Sequence, residues 1–262
     1  MSFLRVGHRA LTLVVSLLTL AMASPGLAQG ALIAGASDLQ FALTEIAERF
    51  RADTGQELRL SLGSSGNIAR QIEQGSPAEM FLSADEAFVF RLAAGGHTRD
   101  RGELYAIGRI VLFTPPGSPI TTEGGMSGIQ QALEAGRIRR FAIANPEHAP
   151  YGRAAEEALR SSGLWERIRP TLVLGENVSQ AAQFALAGGS QGGIVAYSLV
   201  LAPALQGRGA YLLLPDTLHE PLRQRMVLTR RAGPTAEAFY AYMQQPPARE
   251  IMRRYGFVLP GE

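Results

Sequence analysis

Short apolar runs alternate with amphipathic helices through most of this 262-residue chain, and the alternation runs through twice. No other feature narrows the fold as much. A strand followed by a helix that packs back over it leads to parallel pairing and α/β layering. Residues 31–36 predict a buried strand. Leu39, Ala42, Leu43, Ile46, Ala47 and Phe50 then fall at i, i+3, i+4, i+7, i+8 and i+11, one face of a helix. Residues 58–62, 80–82 and 110–113 predict further strands, and Ile68, Ala69 and Ile72 begin a second helix. Residues 115–127, rich in Pro, Gly, Ser and Thr, read as a boundary. Beyond them the pattern restarts, with strands at 141–144, 172–174, 193–195 and 226–228. Helices are expected at 153–160 (stopped by Gly163), 179–187, 235–243 and 247–255. The expected organisation is a first lobe over 29–112, a second over 113–222 and a return to the first over 223–262. The chain would cross between lobes near 110–114 and 224–228, a hinge.

The first 28 residues read as a cleaved secretory signal. Arg5, His8 and Arg9 form a basic head, residues 11–23 are apolar and uncharged, and Gly26-Leu27-Ala28 offers a small-residue exit. The apolar run is shorter than the ~20 residues of a membrane span. Two of the 25 basic residues precede the expected cut and all 23 acidic residues follow it, so the mature chain is formally neutral. A nucleic-acid or membrane-surface role thereby loses its support. Every basic residue in that count is arginine. There is no cysteine, hence no disulfide framework and no lipid-bearing cysteine. A freely diffusing periplasmic protein is expected.

Three strand-to-helix junctions carry the chemistry. Ala36-Ser37-Asp38 ends one strand, and Ser37 with Gln40 fits a capping box. Gly63-Ser64-Ser65-Gly66-Asn67 lets backbone approach a ligand closely and adds two hydroxyls. Asn145 through Gly152 forms a loop ending at another helix start. The unpaired N–H groups and dipole of a helix N-terminus favour negative charge, and open α/β sheets bind ligands at their strands' carboxyl ends. Any one such junction is ordinarily just a cap. His148 reads as a loop residue, Asp85 as a helix cap, and Arg70 and Arg153 as solvated helix positions. No Gly-x-Ser-x-Gly elbow is present, no Ser–Lys dyad exists without lysine, and the Gly63 loop lacks the nucleotide-gripping pattern. A hydrolase pairing Ser65 with His148 is the reading from another class.

Residues 64–75 (SSGNIARQIEQG), 81–85 (FLSAD) and 145–150 (NPEHAP) closely resemble the periplasmic molybdate-binding proteins of molybdate ABC importers. Residues 175–178 (GENV) and 254–257 (RYGF) extend the resemblance to the C-terminus. The resemblance implies a type II periplasmic-binding-protein fold, two α/β lobes joined by hinge strands and closing on one dehydrated oxyanion. It further implies a monomer that captures molybdate or tungstate for an ABC permease, catalyses no reaction and needs no cofactor. Position by position, it places the ion against Ser37, Asp38 and Ser65 of the first lobe and Tyr151 and Val178 of the second. These would touch the anion's oxygens, not the metal. Phosphate or sulfate on the same fold is the nearest alternative.

Three positions depart from the usual family pattern. Asp38 stands where Ser is usual, Tyr151 where Ala is usual, and Ala196 where a Tyr hydroxyl often completes the shell. Tyr151 is expected to reach in and fill the position Ala196 leaves. A carboxylate aimed at a dianion is repelled, by about 4 kcal/mol per pair of unit charges ~4 Å apart at an effective dielectric of 20. Asp38 is therefore expected to turn its side chain away, over its own helix start, and to offer only its backbone N–H.

Overall fold

The computed structural model describes residues 30–187 and 189–262; the expected signal segment lies outside them. The chain runs β1 (Ala31–Ala36), α1 (Gln40–Thr54), β2 (Leu58–Gly63), α2 (Ser65–Glu73), β3 (Met80–Ser83), α3 (Glu86–Ala94), β4 (Glu103–Gly108) and β5 (Ile110–Thr114). It continues through α4 (Met126–Glu134), β6 (Phe141–Ala144), α5 (Pro150–Ser161), α6 (Trp165–Ile168), β7 (Leu172–Gly175), α7 (Val178–Leu186) and β8 (Gly192–Ala196). It ends with α8 (Tyr197–Val200), β9 (Ala210–Leu213), β10 (Leu222–Leu228), α9 (Pro234–Tyr242) and α10 (Pro246–Arg254). Among the described residues no helix is long and apolar enough to cross a membrane.

Two five-stranded sheets result, one ordered β2-β1-β3-β10-β4 and the other β7-β6-β8-β5-β9. In the first, β1 lies parallel to β2 and β3, and β10 runs antiparallel between β3 and β4. The second repeats the plan, with β6 parallel to β7 and β8, and β5 antiparallel between β8 and β9. This is the two-lobed α/β fold that the alternation and the resemblance imply. Burial on both faces explains why β1, β3, β5, β6 and β8 read as nearly unbroken apolar runs.

The chain changes sheets at Arg109, the single residue between β4 and β5, and again between β9 and β10. The first crossing thus lies just before the expected 110–114, and residues 115–125 connect β5 to α4 within the second lobe. Their Pro and Gly mark a turn after β5, whereas the true crossing is too short to leave a compositional trace. The second crossing ends before the expected 224–228, since β10 already pairs with β4 from Leu222.

The return segment completes the first lobe's core. Phe50 of α1 is fully buried and meets Phe239 and Tyr242 of α9 edge-on, with ring centroids 5.2 and 5.3 Å away. Such pairs add stability beyond the area they bury. Phe50→Ala should lower unfolding free energy by about 3–5 kcal/mol, read from urea denaturation. A loss under about 1 kcal/mol would show that α9 does not close this core.

Candidate functional site

All the junctions singled out above meet in one place. A small cavity between the lobes is lined by Ala36, Ser37, Asp38, Gly63, Ser64, Ser65, Ala84, Ala149, Pro150, Tyr151 and Val178. The five residues named from the resemblance are therefore brought together. Organic ligands fill sites of about 300–1,000 Å³, and this cavity is far smaller. Larger depressions beside α1 and β2, and beside residues 114–123, open broadly to solvent.

Each lining segment ends a strand and opens a helical turn. Ser37 begins a 3-10 turn leading into α1, Ser65 begins α2, Tyr151 is the second residue of α5 and Val178 begins α7. No side chain caps the first three turns; only at α7 does one do so, Asn177 accepting from the Gln180 amide. First-turn N–H groups have no acceptor within their own helix, and four such turns converge here. The expected capping box of Ser37 with Gln40 does not form, because Ser37 lies inside the turn and Ala36 occupies the cap position.

Two hydroxyls are oriented as donors. Ser65 Oγ accepts from the Ala84 amide at 2.9 Å, and Ser37 Oγ accepts from the Ser179 amide at 3.3 Å. With an acceptor lone pair engaged, each hydroxyl keeps its proton for another partner. No arginine lines the cavity and the chain has no lysine. The cavity therefore offers neutral donors and one carboxyl.

That carboxyl, Asp38, departs from expectation. Its side chain is buried between the lobes and not turned away over the helix start. Asp38 Oδ2 accepts from the Tyr151 hydroxyl at 3.0 Å and from Gln224 Nε2 at 2.8 Å, while Oδ1 is buried without a partner. Gln224 Nε2 also donates to the Tyr151 oxygen at 3.1 Å. Burial raises the Asp38 carboxyl from its ordinary 3.8 to about 6, against the opposing pull of those hydrogen bonds. Burial and the neighbouring carboxylate hold the Tyr151 phenol well above its ordinary range. The Tyr151 hydroxyl thus spends its one proton on Asp38. Ala196 closes β8 against Ile110.

Gly108, at the end of β4, makes this packing possible. A Cβ there would lie 2.3 Å from the Tyr151 oxygen and 2.6 Å from Gln224 Nε2. Gly66 serves the same purpose at α2, where a Cβ would lie 2.7 Å from the His148 carbonyl that accepts the Gly66 amide.

Around the cavity the lobes are laced together. Ser179 donates to the Ser37 carbonyl at 2.8 Å, and Ser198 to the Asp38 carbonyl at 2.7 Å. Arg153 pairs with Asp85 at 2.6 Å and Asn67 donates to Glu176. Arg153 is therefore not a merely solvated helix position. Asp85 does cap α3, accepting from the Ala87 amide at 2.9 Å, and Arg70 remains exposed beside Asn67. His148 lies in its loop but is buried, with Nδ1 3.0 Å from Ser64 Oγ. His148 thus meets Ser64 and not Ser65, whose oxygen accepts from the Ala84 amide. Gln224, Ser179 and Ser198 were not singled out from sequence. Gln224 alone left a signal, being the polar residue at an inward position between Leu222 and Met226.

Residues 31–258 match the model of the bacterial extracellular solute-binding proteins, and the chain belongs to that family. The molybdate-binding protein ModA of Rhodobacter capsulatus is 34% identical over 258 residues, 97% of this chain and 96% of that protein. ModA of Azotobacter vinelandii is 33% identical over 230 residues, 87% of this chain and 89% of that protein. The solved Azotobacter vinelandii periplasmic molybdate-binding protein superposes with a TM-score of 0.80 at 30% identity, covering 88% of this chain and 99% of that one. The sulfate-binding protein SubI of Mycobacterium tuberculosis shares the fold alone, with a TM-score of 0.72 at 13% identity over 89% of this chain and 88% of that one.

The raised Asp38 carboxyl makes stability depend on pH. It binds its proton more tightly folded than unfolded, so its contribution to stability is greatest below its ordinary 3.8 and falls as pH rises towards about 6. A displacement of that size corresponds to a loss on the order of 3 kcal/mol. Asp38→Asn should flatten this part of the stability–pH curve, read by chemical denaturation at pH values spanning that window.

Proposed function

We propose that the protein captures molybdate or tungstate between its lobes and delivers it to an ABC permease. One observation carries the reading: a small cavity lined by first-turn amides and two hydroxyls, with no cationic side chain among the described residues that line it. Neutral donors in fixed positions select by size. Metal–oxygen bonds in molybdate and tungstate are longer than sulfur–oxygen bonds, and a rigid shell cannot contract onto the smaller ion without leaving its hydrogen bonds long. The relatives named for molybdate support the same ligand. In this reading the ion touches Ser37, Asp38, Ser65, Tyr151 and Val178, the last through its backbone N–H. The protein acts as an exported periplasmic monomer that catalyses no reaction.

One observation favours a second reading. A buried carboxylate facing an anion suits an oxyanion that carries a proton, such as hydrogen phosphate, because that proton can be donated to it. A melting screen of the mature protein over molybdate, tungstate, sulfate and phosphate decides between them. Molybdate and tungstate should raise Tm, since a ligand at a hundredfold its Kd stabilises by about 2.7 kcal/mol. Sulfate and phosphate should have little effect. A phosphate shift exceeding that of molybdate would overturn the assignment.

A further inference from the structure

Asp38 is the only charged residue lining the cavity, and nothing in the proposed function uses its charge. The groups facing it come from every element packed around it. Tyr151 reaches it from α5, Gln224 from β10 and the Tyr105 phenol from β4, while Ser198 of α8 holds its carbonyl. None of the groups acting on its carboxyl is a cation. An ionised Asp38 beside a dianion would put three negative charges into a buried space. At ~4 Å and an effective dielectric of 20, each pair of unit charges weakens binding by roughly a thousandfold.

Hydrogen-bond polarity points the same way. Asp38 Oδ1 and Gln224 Oε1 are both buried with no partner, and the single Tyr151 proton is already given to Oδ2. Of these residues Asp38 and Tyr151 line the cavity, so the ionised cluster presents an acceptor there where an oxyanion needs a donor. One added proton corrects this. On Oδ1 it makes Asp38 a donor; on Oδ2 it makes Asp38 donate to Tyr151, whose own proton is then free for the ligand.

We propose that Asp38 takes up one proton from solvent as the oxyanion binds, so that this chain admits a fully deprotonated dianion only together with that proton. The inference rests on the oxyanion reading above and specifies its chemistry. A solvent or buffer acid loses the proton, the Asp38 carboxylate gains an O–H bond, and the cavity holds two negative charges instead of three. Molybdate, tungstate and sulfate require this uptake at neutral pH. Hydrogen phosphate brings its own proton and does not.

Titration calorimetry of the mature protein with sodium molybdate, in two buffers of different ionisation enthalpy at about pH 7, counts the protons directly. The expected result is about one proton taken up per molybdate, with Kd weakening about tenfold per pH unit above that pH. Asp38→Asn, which keeps the shape and cannot ionise, should bind molybdate with no proton uptake and no such slope. Molybdate heats in the parent that do not depend on buffer, or equal uptake in Asp38→Asn, would overturn the inference and leave the function intact. A folded parent protein that binds phosphate but not molybdate would overturn the function, and the inference with it.

Discussion

On the proposed reading, holding a multiply charged anion in a cavity lined by no lysine or arginine is the constraint on which this architecture turns. The charge must be met by partial charges on backbone N–H groups and hydroxyls, each individually weak and useful only if aimed. Aiming an amide means fixing a backbone, and the backbone is fixed where a strand stops and a helix starts. One lobe supplies the turns at Ser37 and Ser65, and the other supplies those at Tyr151 and Val178. Neither half of the shell is sufficient, so the carboxyl ends of the two sheets must face each other. The two crossings of the chain, at Arg109 and between β9 and β10, follow from that need.

The polar cluster of Asp38, Tyr151 and Gln224 lies where those demands meet the hinge. Its members come from α5, β10 and the turn after β1, and Gly108 makes room for it one residue before the first crossing. Buried polar groups left partly unsatisfied cost stability, and Asp38 Oδ1 and Gln224 Oε1 are both in that condition. A core built for stability alone would fill the space with apolar side chains. That this one does not is consistent with the cluster serving the ligand.

The layering was legible because it rests on local periodicity: β1 and β6 run over the same residues as the sequence expectation. The site was legible in part, because Ser37 and Gly63-Ser64-Ser65 stand where an apolar run gives way to a helical one. What a residue meets across the cleft was not. Asp38 was expected to retreat from a dianion, a sound argument about two charges that omits the third party. Tyr151, 113 positions later, donates to Asp38 and holds it in the cleft. His148 likewise meets Ser64 and not Ser65, because the Gly66 amide fixes the loop carrying it. The crossing at Arg109 could be placed only as near 110–114, because one residue between two strands breaks no pattern.

The contacts that lace the lobes together have a kinetic meaning. Gly66 to His148, Asn67 to Glu176, Arg153 to Asp85 and Ser198 to Asp38 each join one lobe to the other. Each must break before an ion enclosed between the lobes can leave, yet the side chains of Asn67, Glu176, Arg153, Asp85 and Ser198 do not line the cavity. Residence time is therefore governed by residues that take no part in recognising the ion. Substitutions among them can retune how quickly cargo is released to a membrane partner while leaving untouched which anion is chosen.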